Sequence, residues 1–133
     1  MKKKKRFFMA NDLIQELQEA TEGTRKLDAA IALLVGWKRQ VDTTRIDRKT
    51  GQPVKRSIWI VPSSNDVGKV PFFTTSLDAA YELAREVAPE DAIGVSFVAG
   101  VFTATVGSSG YVHGSTSALA LCAAIVAVKT RSE

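Results

Sequence analysis

The sequence predicts an α+β domain with the element order α-α-β-β-α-β-β-α and one antiparallel four-stranded sheet. Three observations carry this reading. Apolar residues recur at helical spacing in four segments. Two further pairs of segments are rich in β-branched and aromatic residues, and each pair is joined by turn chemistry. A chain of 133 residues is long enough to bury one core without disulfide staples.

Between residues 11 and 21, Leu13, Ile14, Leu17 and Ala20 share one helical face, with Asp12, Glu16 and Glu19 opposite. Gly23 ends this first helix, and Thr24 is placed to cap a second. The stripe of that second helix is Leu27, Ala30, Ile31 and Leu34. Residues 41–46 and 54–61 then flank a polar Gly- and Pro-containing turn, which predicts a β-hairpin. Residues 62–73 read as a loop. Thr75 as a cap and Asp78 as its capping-box acid open a third helix, with Leu77, Ala80, Tyr81, Ala84 and Ala88 on one face and Pro89 as its stop. Residues 93–98 and 101–106 alternate about Ala99-Gly100 and predict a second hairpin. Residues 107–115 read as a loop. Residues 116–130 form a helix that is apolar on nearly every side, so it must be buried centrally or covered by a partner. A homodimer through this C-terminal helix is one expectation.

The net charge of +4 comes from 18 basic and 14 acidic side chains, and residues 2–6 alone hold five of the basic ones. Residues 1–10 are therefore read as a basic disordered tail or, with Met9 as an alternative start, as a start-site artefact. Only Phe7, Phe8, Met9 and Ala10 follow the basic run, too few for a secretory h-region. The apolar run from 118 to 128 falls short of the roughly 18 residues of a membrane span. No membrane contact and a cytoplasmic location are the expectations. A single cysteine excludes an internal disulfide, and a single histidine leaves little for a zinc site, so neither a metal nor a cofactor is expected.

Candidate chemistry is sparse. Cys122 lies within the most apolar helix, where a thiol behaves as a small hydrophobe, and no nucleophile elbow or P-loop is present. No catalytic residue is assigned. The segment 107–116 offers Gly107, Gly110, Gly114, His113, Ser115 and Thr116 just before a helix N-terminus, a pattern that suits either a phosphate-binding loop or a capped connector. The first hairpin carries Lys38, Arg39, Arg45, Arg48, Lys49, Lys55 and Arg56 against Asp42 and Asp47, flanked by Trp37 and Trp59. Arg45, Arg48, Lys49, Lys55 and Arg56 form the candidate basic interaction face. The same charges also suit an exposed strand protected from aggregation.

Three blocks carry a family likeness: residues 27–37, beginning Leu27-Asp28-Ala29-Ala30; residues 70–80, Val70-Pro71-Phe72-Phe73-Thr74-Thr75-Ser76-Leu77-Asp78-Ala79-Ala80; and residues 118–125 around Cys122. In this order they resemble the small phage and prophage proteins with an ABA sandwich domain, over residues 27–130. The resemblance implies an α/β/α sandwich as one domain over residues 11–133, a phage or prophage origin and the host bacterial cytoplasm. It transfers no catalytic residue. The acidic first helix and the basic hairpin depart from the family's minimal pattern. The expected function is an accessory binding protein, without catalytic activity, that engages a host or phage macromolecule, counter-defence being one such role. The alternatives are sequence-independent nucleic-acid binding through the hairpin and tail, and sequestration of a phosphate-bearing small molecule at the glycine-rich loop.

Overall fold

A computed structural model describes residues 2–131, with side chains from residue 11 onward. Residues 2–10, read as part of a tail or start-site artefact, belong to the first helix, and their side chains, with Met1, lie outside the described residues. Four helices and six strands follow in chain order: α1 (Lys2–Glu19), α2 (Arg25–Leu34), β1 (Lys38–Asp42), β2 (Arg56–Ile60), β3 (Val67–Gly68), α3 (Leu77–Val87), β4 (Ile93–Val98), β5 (Val101–Val106), β6 (Val112–Gly114) and α4 (Ser117–Arg131).

Local chemistry sets most of the helix ends. The Thr24 hydroxyl accepts from the Leu27 N–H at 3.1 Å and caps α2. In α3 the cap is Ser76, not Thr75: its side chain accepts from the Ala79 N–H at 3.2 Å. The α3 stripe is also rotated from the expected one. Ala80, Leu83 and Ala84 are buried, whereas Leu77 and Tyr81 are exposed. Thr116 caps α4 through the Leu119 N–H at 3.1 Å.

The single four-stranded sheet is corrected to two three-stranded antiparallel sheets, β1-β2-β3 and β4-β5-β6. Each is a hairpin completed by the strand next in the chain. The added strands lie in segments read as loops, 62–73 and 107–115, because two or three residues are too few for alternation to show. Pairing with an existing edge, rather than local propensity, makes them strands.

The centre of the core is a helix. Every residue of α4 from Ala118 to Val128 is buried, against α1, α3, β5 and β6. Leu13 and Leu17 of α1 and Ile31 of α2 join it. The apolar circumference that sequence left for either a core or a partner is thus packed within the chain from Ala118 to Val128. The sheet β1–β3 hangs from this core through Trp37, Trp59 and Val70. No helix among the described residues is long and apolar enough to cross a membrane.

Candidate nucleic-acid interface

The hairpin β1–β2 continues beyond its two strands. Val54 N–H donates to Arg45 O at 2.8 Å and Asp47 N–H to Gln52 O at 2.9 Å, with an isolated bridge between Ile46 and Pro53. Asp42 lies opposite Arg56, so four steps lead from Asp42 to Ile46 and only three from Arg56 to Pro53. The first strand therefore carries one extra residue at Thr43–Thr44. That is a β-bulge, which bends the ribbon and strengthens its twist. Thr44 N–H donates to Asp42 Oδ1 at 3.0 Å and fixes the bulge locally.

Apart from Asp47, residues 43–57 are all exposed, so the outer ribbon stands in solvent as an arm. The structure brings Arg45, Arg48, Lys49, Lys55 and Arg56 together on this arm. Among them Arg56 alone makes a salt bridge, to Asp42 at 3.4 Å. Hydrogen bonds from the Thr44 backbone and side chain, followed by the charges of Arg56 and Arg45, hold the Asp42 carboxyl below its usual range. It stays ionised and offsets part of the arm's positive field. Arg39 lies over the Trp59 ring at 5.3 Å, which ties the arm's base to the core. Ile46 and Val54 remain exposed among the cations, although they are large and apolar.

The glycine-rich segment is divided between two structures. Gly107 and Gly110 have φ of +53° and +75° and shape the turn between β5 and β6. Within that turn the buried Ser109 hydroxyl accepts from Val106 N–H at 2.9 Å and donates to Gly110 O at 2.8 Å. Arg131 also donates to Ser108 O. His113 and Gly114 belong to β6, opposite Thr103 and Phe102, and the His113 side chain is exposed. Gly114 is buried against α4, and a Cβ there would lie 2.7 Å from Ala120 N. Its function is a close strand-to-helix approach, not a positive φ. Ser115 is exposed, and the Thr116 hydroxyl is engaged as the α4 cap.

A cluster that sequence reasoning missed lies at the junction of the three blocks named above. Asp28 and Thr74 are both fully buried. Asp28 Oδ1 accepts from Thr74 N–H at 2.8 Å and from the Thr74 hydroxyl at 2.6 Å, while Oδ2 accepts from Arg25 Nη1 at 2.9 Å. Arg25 also donates to Val70 O at 2.7 Å and lies over the Phe72 ring at 4.2 Å. Cys122 Sγ contacts Phe73 O at 3.1 Å. Burial, and secondly the Asp28 charge, push the Cys122 thiol far above its ordinary range, so it is an inert core group. Only the Thr24 cap and the recurrence of Asp28 within a Leu-Asp-Ala-Ala helix start hinted at this clasp. Among the described residues no three His, Cys, Asp or Glu side chains are placed to hold a metal. No protein family, curated protein or solved structure matches this chain.

Proposed function

We propose that the protein is a non-catalytic binding protein that engages duplex DNA through the β1–β2 arm without sequence selectivity. The arm itself carries the reading. It is a solvent-exposed two-stranded ribbon bearing Arg45, Arg48, Lys49 and Lys55, none of which makes an ion pair among the described residues. A ribbon of this width enters the major groove of B-form DNA, whereas the deep, narrow major groove of A-form RNA is closed to it. Cations supply phosphate contacts, and the exposed Ile46 beside Pro53 supplies apolar contact within a groove. The likeness of the three sequence blocks to ABA sandwich phage proteins supports a phage or prophage accessory role for this binding, in the cytoplasm of the host cell.

The test is fluorescence anisotropy with labelled duplex DNA between about 50 and 200 mM salt, where each phosphate contact contributes a slope of about −0.9 in log affinity against log salt. Alanine at Arg45, Arg48, Lys49 and Lys55 together is expected to flatten that slope by about 3 to 4, with the circular dichroism spectrum unchanged. Absence of binding by the unsubstituted protein at the low-salt end would refute the reading.

A further inference from the structure

The sheet β4-β5-β6 ends on one side in β6, a three-residue strand that contacts α1 and α4, and on the other in β4, which pairs only with β5. The main-chain groups of β4 can be assigned a direction. Gly107 N–H donates to Ala92 O at 2.9 Å, and Ile93 lies opposite Val106. Because alternate residues of a strand turn their main-chain groups to opposite sides, Ala92, Gly94, Ser96 and Val98 face β5. Ile93, Val95 and Phe97 therefore turn their N–H and C=O groups to the free edge.

Natural sheets protect such an edge with lysine, proline or a bulge. Strand β4 has none of these. It is a regular six-residue strand, and no Asp, Glu, Lys or Arg occurs anywhere from residue 92 to 128. Its inner side is also left partly open by α4: Val95 is 38% exposed although the opposing Ala104 is buried, and Phe97, whose ring lies 4.7 Å from that of the opposing Phe102, is 60% exposed.

We infer that β4 is the interface of a homodimer, in which β4 pairs antiparallel with β4 of a second copy about a two-fold axis through Val95. This register is singled out by the edge groups. It sets Val95 opposite its own copy and Ile93 opposite Phe97 of the second copy in both directions. Every outward N–H and C=O of the three residues then finds a partner. Opposed residues lie on the same face of the joined sheet, so the apolar inner faces become continuous and Ile93 meets an aromatic ring, a favourable cross-strand pair. No charge on either strand opposes the contact. The pairing uses the same edge on both copies about a two-fold axis, so it closes at two chains.

Sedimentation equilibrium of the full chain is expected to give a dimer mass. Val95→Lys, which sets two like charges face to face on the axis, is expected to give a monomer over the same concentrations with an unchanged circular dichroism spectrum. A second variant does not depend on the fold tolerating a charge. Val95→Cys places two thiols at the roughly 5.5 Å Cα separation of a hydrogen-bonded pair and is expected to cross-link on oxidation, whereas Ser96→Cys in the same chain is not. A monomer mass for the unsubstituted protein at millimolar concentration, a dimer that survives Val95→Lys, or cross-linking through Ser96→Cys but not Val95→Cys would each overturn the inference.

Discussion

Thr74 gives both its main-chain N–H and its hydroxyl to one oxygen of Asp28, at 2.8 and 2.6 Å, across 46 residues of sequence. The single hydroxyl hydrogen goes to the carboxylate, the shortest of its contacts, and the Thr74 hydroxyl oxygen in turn accepts from Thr24 N–H at 3.0 Å. With Arg25 on the other carboxylate oxygen, the acid's burial is compensated on both sides. The clasp binds the start of α2 to the segment that leads into α3.

Asp28→Ala is expected to cost about 3 kcal/mol, because it leaves a buried N–H and hydroxyl without their acceptor and strips Arg25 of its partner. Thr74→Val keeps the volume and the N–H bond and is expected to cost about 1 to 2 kcal/mol. Urea unfolding of the two single variants and the double variant measures both. The double variant should fall well short of the sum, since the two residues share the same bonds.

Gly114→Val is expected to destabilise the fold by about 1 to 3 kcal/mol or more, since the new side chain is driven into the α4 backbone at Ala120. Gly110→Ala meets no atom within 4 Å and carries only the cost of φ +75°, about 1 to 2 kcal/mol. Thermal unfolding of the pair separates a packing glycine from a turn glycine.

The Cys122 thiol has its pKa raised in the folded chain, by burial first and the Asp28 charge second, from an ordinary value of 9.0. The folded state therefore keeps a proton that the unfolded chain loses. Its contribution to stability is intact below about pH 9 and is lost above it, by up to about 1.4 kcal/mol per pH unit. Denaturation at pH 7 to 10.5 checks this, with Cys122→Ala as the reference that lacks the slope. Native-state labelling of the thiol should proceed only at the rate of global opening.

On the arm, Ile46→Ala is expected to weaken DNA binding without altering its salt slope, because it removes apolar contact but no phosphate contact. Asp42→Asn is expected to strengthen binding several-fold, since it removes a negative charge and releases Arg56. Held below its ordinary range, the Asp42 carboxyl stays ionised from about pH 5 to 8, so its charge should impose no pH dependence on affinity over that range. Anisotropy titrations of both variants at two salt concentrations test all three expectations.

Sequence alone determined the features that depend on near neighbours. The Thr24 cap, the Ala99-Gly100 reversal with both residues at positive φ, the β4–β5 pairing and the wholly apolar α4 all follow from residues a few positions apart. The basic hairpin was legible for the same reason, since its charges are contiguous in the chain. Only the tertiary structure decided what depends on distant partners. Strands β3 and β6 exist because an edge was there to pair with, and this made two sheets of an expected one. Asp28 stood in the sequence only as part of a Leu-Asp-Ala-Ala helix start, and burial against Thr74 made it the centre of a clasp. Gly114 looked like loop flexibility, and the approach of β6 to α4 made it a contact where no side chain fits. A side chain carries its chemistry in the sequence, but its solvent and its partners are set by segments that no local pattern encodes.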